Sequence, residues 1–208
     1  TASELVEAGF EHVVLATGIV PRQLDLPGKE HEKVIPYVDL IEGYRVAGAR
    51  VAIIGAGGIG FDVAEFLTHS EEAEDELERF QNEWGIDPEF ANRGGIKAPN
   101  CASSRRQVWL LQRKTAKVGD GLARTTGWIR RTLLKKRGVQ MLSGVSYERV
   151  DDAGLHIVVD GHARCLPVDH VIICAGQEPR RDLEEGLRSA SMPLTLIGGA
   201  DVAKELDA

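Results

Sequence analysis

The chain has 208 residues and a net charge of −7, and 43% hydrophobic with 27% charged residues is typical of a globular protein with a buried core. The acidic balance argues against a nucleic-acid partner, and the absence of an apolar run near the roughly 20 residues that span a bilayer argues against a membrane partner. Three dispersed cysteines and no signal-peptide pattern predict a cytoplasmic protein without a disulfide framework or a metal knuckle.

Apolar runs alternate with helical patterns along most of the sequence. Short buried strands are predicted at residues 12–16, 51–54, 107–112, 139–142, 171–174 and 195–197. Helices are predicted at residues 37–44, 59–68 and 125–137, the last with Thr125 or Thr126 as N-cap. An antiparallel meander is predicted at residues 145–150, 155–159 and 163–167, and a connection with two prolines at residues 21–27. This alternation predicts an α/β fold whose parallel sheet is covered on both faces.

Residues 71–106 have a different character. They begin in an acidic run, namely Glu71, Glu72, Glu74, Asp75, Glu76 and Glu78. We interpret the segment as a long insertion with one helix near residues 77–84 and with its charges on a solvated surface. The chain opens in a helix-like segment at residues 4–10 and closes in another at residues 204–208, so we expect a piece of a longer polypeptide.

The most informative motif follows the strand at residues 51–54. Gly55, Gly57 and Gly60 have GxGxxG spacing between this strand and the next helix. Gly55 permits a tight turn, Gly57 permits close approach of a pyrophosphate, and Gly60 permits close packing of the helix. The helix N-terminus offers amide groups and a positive dipole end to phosphates. The motif therefore predicts a dinucleotide site rather than a structural turn, made by Gly55, Ala56, Gly57, Gly58, Ile59 and Gly60.

The end of the second strand bears on the choice of nucleotide. NAD-binding domains carry an acidic residue there for the ribose 2′-hydroxyl, and NADP-binding domains carry a basic residue for the 2′-phosphate. This strand ends in Gln112, Arg113 and Lys114, with no carboxylate. Arg113 offers a bidentate fork to phosphate and Lys114 a mobile charge, which favours NADPH. The alternative is a pair of solvated surface cations; Lys117 and Arg124 are further candidates for either role.

Two similar turns flank the glycine motif. Thr17-Gly18 follows the first strand and precedes a proline, and Ala175-Gly176 follows a later strand in the same way. A Gly-Gly-Ala-Asp sequence ending at Asp201 comes after both. This order is typical of a nicotinamide-binding domain inserted into a flavin-binding domain.

The chain resembles the flavoprotein reductases with two dinucleotide-binding domains, and more closely the bacterial NADPH-dependent 2,4-dienoyl-CoA reductases. The resemblance runs over nearly the whole chain, and the TTGWI and GVSY sequences are its most specific parts. The segments that carry it are ATGIVPR at 16–22, VAIIGAGGIGFDVAEFL at 51–67, WGID at 84–87, LLQRKTAKVGDGLARTTGWIRR at 110–131, GVSYERVDDAGLHIVV at 144–159, VIICAGQEP at 171–179 and LIGGADVAKELDA at 196–208.

The resemblance implies a three-module parent protein of fatty-acid β-oxidation. Its modules are a TIM barrel with FMN, a 4Fe–4S cluster, and an FAD domain into which the NADPH domain is inserted. Hydride passes from NADPH to FAD, and electrons then reach the dienoyl-CoA through the cluster and FMN. In this chain, residues 1–28 and 179–208 would belong to the FAD domain and residues 29–178 to the NADPH domain. The fragment would hold a partial FAD site, and its partners would be the remaining modules.

Individual site residues carry over by position. Gly55, Gly57, Ile59 and Gly60 match the family's phosphate-binding turn, and Arg113 with Lys114 match its 2′-phosphate grip. Thr17-Gly18 and Ala175-Gly176 match the crossover turns beside the nucleotides. Asp201 matches the acidic residue that contacts FAD, although the usual motif is Gly-Asp and here Ala200 intervenes.

Alternatives remain open. One is a structural ADP-binding domain, as in trimethylamine and histamine dehydrogenases, and another is a ferredoxin- or thioredoxin-linked reductase of the same architecture. The basic pair argues against the first, and the lack of a CxxC argues against the thioredoxin type. We interpret Cys174 as a core residue and Tyr147 as structural, and we expect no metal ligands among the histidines.

Overall fold

The computed structural model describes residues 1–69, 75–101 and 104–203. Glu71, Glu72 and Glu74 of the acidic run lie outside the described residues, as does the helix expected at residues 204–208. The chain divides into two compact units. Thr1–Gln23 and the described residues from Ala175 onward form the first unit, and Leu24–Cys174 form the second. Their assignment to FAD and NADPH stays a prediction.

The elements alternate along the chain much as the sequence predicts. The helices are α1 (Ala2–Glu7), α2 (Tyr37–Ile41), α3 (Gly58–Thr68), α4 (Glu76–Trp84), α5 (Gly127–Lys136) and α6 (Glu184–Ser189). The strands are β1 (Val13–Leu15), β2 (Ile19–Pro21), β3 (Val34–Pro36), β4 (Arg50–Ile54), β5 (Gln107–Leu111), β6 (Gln140–Leu142), β7 (Ser146–Asp151), β8 (Gly154–Val159), β9 (His162–Leu166), β10 (His170–Ile173), β11 (Gln177–Pro179) and β12 (Leu194–Leu196).

The second unit is built on a five-stranded parallel sheet in the order β3-β10-β4-β5-β6. Val51 and Ile53 pack on a face covered by α3 and α5, which contribute Phe61 and Leu134 to the same core. All four residues from Val51 to Ile54 are at most 1% exposed. Successive strand residues point to opposite faces, so both faces of the sheet are covered. The predicted α/β fold is confirmed.

A three-stranded antiparallel sheet, β7-β8-β9, also belongs to the second unit. Its buried side includes Leu155, Ile157 and Leu166. Asp160 and Gly161 join β8 to β9 with φ angles of 50° and 76°. Two consecutive positive φ angles are the geometry of a type I′ hairpin, for which Asp-Gly is a preferred pair. The predicted meander is confirmed.

The insertion is anchored to the second unit by α4. The predicted helix is present and ends at Trp84, with Gly85 as its C-cap at a φ of 70°. Glu83 forms an ion pair of 2.8 Å with Arg137, and these side chains are only 12% and 5% exposed. Lys136 Nζ lies 4.5 Å from the centre of the Trp84 ring and donates to the Glu83 carbonyl. The acidic residues at the start of α4 are exposed, as expected, but its C-terminal end docks on the end of α5.

The first unit joins the two ends of the chain. Strands β1 and β12 pair in parallel, and β2 pairs antiparallel with β11. Val13 and Leu15 pack with Leu187 of α6 in a small core. The connection was predicted to begin at residue 21, and this boundary is wrong, because Pro21 is the last residue of β2. A proline is tolerated at the end of an edge strand, since no ladder hydrogen bond from its nitrogen is needed there.

Candidate nucleotide-binding site

The glycine turn begins directly after β4. Gly55 has a φ of 108°, a conformation that side-chain-bearing residues rarely adopt. Its amide donates to the carbonyl of Leu111 at 2.9 Å. Leu111 is the last residue of β5, so the turn is fastened to the end of the neighbouring strand. The carboxyl ends of parallel strands are where α/β proteins bind nucleotides.

Gly60 lies in the first turn of α3 and meets the glycine turn. A Cβ built on Gly60 stands 1.9 Å from the Gly55 carbonyl oxygen and 3.5 Å from Cδ1 of Leu110. Only a residue without a side chain fits there. Gly60 therefore has the structural role that the motif predicts, while its part in nucleotide binding stays a prediction.

The N-terminus of α3 has no side-chain cap. Its N-cap, Gly57, has φ −83° and ψ −172°, is exposed and supplies no side-chain cap. No acidic residue lies in the first turn of α3. The first amides of a helix have no carbonyl acceptor inside it, and the helix dipole favours an anion there. A pyrophosphate group therefore fits the position that a capping side chain normally occupies.

A basic loop, residues 113–119, follows β5 at the same edge of the sheet. Arg113, Lys114 and Lys117 are all exposed, and none forms an ion pair with a carboxylate of the described residues. Because Gly55 is bonded to Leu111, two residues before Arg113, the glycine turn and this loop emerge from adjacent strand ends. The structure thus places two predicted groups of site residues next to each other.

Gln112 holds the basic loop in shape, a role that the sequence does not reveal. Its Nε2 donates to the carbonyls of Lys114 at 3.1 Å and Ala116 at 2.8 Å. Its Oε1 accepts from the amide of Gly119 at 3.2 Å. A glutamine at a strand end gives no sequence signal for these partners, because they are backbone groups of a loop.

The Tyr147 hydroxyl and the Cys174 thiol are both buried, and their structural role stays a prediction. The Tyr147 hydroxyl is buried and has no hydrogen-bond partner among the described residues. Burial raises its pKa well above the usual value, and the nearby Arg113 offsets this only partly. Burial also raises the pKa of the Cys174 thiol to about 12. Both groups stay protonated at neutral pH.

In the first unit, the two flanking turns lie side by side. The Thr17 hydroxyl donates to the Arg180 carbonyl, and the Arg180 amide donates to the Gly18 carbonyl at 3.0 Å. Gly18 and Gly176 have φ angles of 78° and 111°. The pairing of β2 with β11 therefore joins turns that are far apart in sequence, and Ala175 precedes the second one.

The segment that ends at Asp201 packs against the same ribbon. A Cβ built on Gly199 stands 2.7 Å from Cγ2 of Ile19. Ala200 is fully buried, and the Asp201 side chain is exposed. The Arg181 guanidinium donates to the Ala200 and Asp201 carbonyls. The alanine that departs from the usual Gly-Asp motif thus anchors a short 3₁₀ turn, and Arg181 is a positioning residue that sequence reasoning missed.

The described residues give two negative findings. No group of three His, Cys, Asp or Glu side chains within them has a spacing suited to a metal ion. No helix within the described ranges has the length and hydropathy to cross a bilayer.

The pyridine nucleotide-disulphide oxidoreductase family model matches residues 2–207. The chain belongs to this family. It is therefore an oxidoreductase-family chain, and the family is one of flavin- and pyridine-nucleotide-dependent proteins. The chain is similar to a metal reductase from Desulforamulus reducens, with 26% identity over 207 residues, which is 95% of this chain and 29% of that protein.

Two solved enzymes share the fold. A 2-naphthoyl-CoA reductase superposes with a TM-score of 0.74 at 18% identity, over 99% of this chain and 26% of the other. Histamine dehydrogenase from Rhizobium superposes with a TM-score of 0.68 at 17% identity, over 99% of this chain and 30% of the other. The chain spans less than a third of each of the three proteins it is compared with here.

Proposed function

We propose that this chain is the NADPH-binding portion of a 2,4-dienoyl-CoA reductase, an NADPH-dependent oxidoreductase acting on CH–CH bonds. Bound NADPH supplies a hydride, for which FAD is the acceptor in the proposed parent protein. The chain's own task is to bind and orient the donor. The FAD site in this chain is partial, made by Thr17, Gly18, Ala175, Gly176 and Asp201, so the chain alone does not reduce a thioester.

One observation carries this proposal. Arg113 and Lys114 are exposed cations without a carboxylate partner among the described residues, at the end of the strand that is bonded to the Gly55 turn. In dinucleotide-binding folds this position meets the adenosine ribose. Two free cations are suited to a 2′-phosphate and give no advantage to a 2′-hydroxyl.

The glycine turn supports the other half of the assignment. The N-terminus of α3, which has no side-chain cap, binds the pyrophosphate through backbone amides, and Gly57 leaves room for close approach. The basic loop binds the 2′-phosphate. The two contacts fix the adenosine end of the nucleotide and leave the nicotinamide end free to be presented to an acceptor.

The rest of the parent protein is part of the same proposal. A TIM barrel with FMN, a 4Fe–4S cluster and the other half of the FAD domain would lie outside this chain, and they would be its partners in the cytoplasm. The 2-naphthoyl-CoA reductase that shares the fold acts, by its name, on a coenzyme A thioester, which agrees with a thioester substrate. That likeness shows the fold alone, so the assignment of NADPH as the nucleotide depends on the basic loop.

A second candidate function is a structural ADP site of the amine-dehydrogenase type. The fold shared with histamine dehydrogenase is compatible with this alternative. The two candidates differ in whether the bound nucleotide carries a 2′-phosphate, which NADPH has and ADP lacks. A nucleotide site that serves only ADP has no need for Arg113 and Lys114.

Calorimetric titration of the chain with NADPH, NADH and ADP tests the proposal. We expect NADPH to bind on the order of tenfold to a hundredfold more tightly than NADH, because a charge-assisted contact contributes about 1.5–3 kcal/mol. The double variant Arg113→Ala/Lys114→Ala removes this preference. Equal binding of ADP and NADPH, unchanged in the variant, supports the structural ADP site instead.

The matched control removes two cations elsewhere. Lys29 and Arg164 belong to the second unit, are exposed, and have no ion pair among the described residues. The variant Lys29→Ala/Arg164→Ala therefore changes the net charge equally. We expect it to keep the NADPH preference, which separates a local phosphate contact from a general electrostatic effect.

A further inference from the structure

The side chain of Gln112 makes three hydrogen bonds inside the basic loop. Its amide nitrogen holds the Lys114 and Ala116 carbonyls, and its amide oxygen holds the Gly119 amide. The side-chain amide of Gln112 thus bonds to backbone groups near the start of the loop, at Lys114 and Ala116, and at its end, at Gly119. Residues 113–117 are exposed and have no regular secondary structure. Such a loop otherwise samples many conformations, at an entropic cost for each residue that a ligand must order.

The backbone of Gln112 is fixed as firmly as its side chain. Its amide donates to the Leu142 carbonyl at 2.8 Å, and its carbonyl accepts from Val145 at 3.0 Å. The Gly144 amide adds a bond of 3.0 Å to the Lys114 carbonyl. Backbone hydrogen bonds therefore hold Gln112 between the end of β5 and the segment that joins β6 to β7.

The far end of the loop is also held. Nη1 of Arg131 donates to the Gly119 carbonyl at 2.7 Å, and a Cβ on Gly119 would stand 2.6 Å from the Phe61 ring. Gly119 is therefore pressed against α3 and tied to α5. The loop is therefore held at both ends, by Gln112 and by Gly119, whereas its exposed cations form no ion pair among the described residues that would hold it.

We propose that Gln112 is a specificity-determining positioning residue, which pre-organises the basic loop for the 2′-phosphate of the nucleotide. This inference depends on the proposed NADPH function of the same site. Gln112 acts through Arg113 and Lys114, and its contribution is the order of the loop before the ligand arrives. Pre-organisation increases affinity because less conformational entropy is lost on binding.

The test uses two small probes that differ in one group, adenosine 2′,5′-bisphosphate and 5′-AMP. Gln112→Met keeps the length of the side chain and removes its three hydrogen bonds. We expect the affinity for the bisphosphate to fall on the order of tenfold and the affinity for 5′-AMP to change by less than about twofold. Gln112→Asn, which keeps an amide but shortens it, should act in the same direction.

The control is Gln107→Met. Gln107 begins β5, and its exposed side chain makes no hydrogen bond among the described residues. We expect both affinities to stay at the wild-type values. The melting temperature of every variant is measured alongside, since a merely structural role for Gln112 would lower it and weaken both probes alike.

The outcomes separate two failures. If wild type prefers the bisphosphate and Arg113→Ala removes the preference, but Gln112→Met leaves it intact or weakens both probes equally, the positioning role is wrong and the NADPH function stands. If wild type binds the two probes with equal affinity, the proposed function fails, and the inference fails with it.

Discussion

Gly60 and Gly55 are in direct contact, with the space for a Gly60 Cβ filled by the Gly55 carbonyl oxygen at 1.9 Å. Gly60→Ala must therefore move α3 away from β4 or distort the turn. We expect a loss of about 2–4 kcal/mol in the free energy of unfolding, measured by urea denaturation, together with loss of nucleotide binding. Gly121→Ala is the control, because nothing lies within 4 Å of its Cβ position. Equal stability of the two variants would show that the contact relaxes freely.

The insertion depends on the pair formed by Glu83 and Arg137. Glu83→Ala leaves the Arg137 guanidinium, only 5% exposed, without its counter-charge. Removing one partner of a buried pair costs about 3–5 kcal/mol, so we expect a loss near 3 kcal/mol in chemical denaturation. Glu89→Ala, at an exposed position of the same insertion, should change the stability by less than about 0.5 kcal/mol. A small effect of Glu83→Ala would mean that the insertion contributes little to the second unit.

Acid stability should report on Asp151. A hydrogen bond from His156, assisted by Arg149, lowers the pKa of Asp151 to about 2. An unfolded aspartate has a pKa near 3.9, so the native state binds fewer protons below that pH. The stabilisation is complete above about pH 4 and is lost as the pH falls towards 2. Asp151→Asn should flatten this part of the stability profile, whereas Asp160→Asn should not. Parallel profiles for Asp151→Asn and wild type would exclude the contribution.

The three thiols should react in the order of their exposure. Cys165 is exposed, Cys101 is partly buried, and Cys174 is buried with a pKa raised to about 12. Burial, followed by the charge of Glu83, also raises the pKa of Cys101. Because the thiolate is the reactive form, maleimide labelling read by mass spectrometry should modify Cys165 first and Cys174 only in urea. Early labelling of Cys174 in the native protein would mean that its strand end opens.

The sequence predicted the parts of the fold that depend on local pattern. The run from Val51 to Ile54 is apolar because both faces of its strand are buried, and the glycines after it mark the turn into α3. The Asp-Gly pair at residue 160 likewise encodes its own hairpin. In each case the chemistry of a few neighbouring residues is enough to determine the backbone.

Other elements were missed because distant partners create them. Ile19–Pro21 and Gln177–Pro179 are strands only because they pair with each other. Neither has a period of its own, and each contains proline. The partner of Glu83 is distant too, since Arg137 lies at the end of α5. The partners of Gln112 are close in sequence, but they are backbone groups, which no pattern of side chains specifies. The site residues were therefore predictable as motifs, whereas the groups that hold them were not.

The pairing of the chain's two ends has a consequence for biosynthesis. Leu24–Cys174 is continuous, so the ribosome completes the second unit before the strands that the first unit needs have been made. Val13 pairs with Leu194, and Pro21 pairs with Gln177, so neither pair can form until the later residue has been made. We expect the nascent chain to carry β1 and β2 unpaired until β11 and β12 have been made. A message that stops after residue 174 should thus yield a folded second unit that trails an unpaired N-terminal segment.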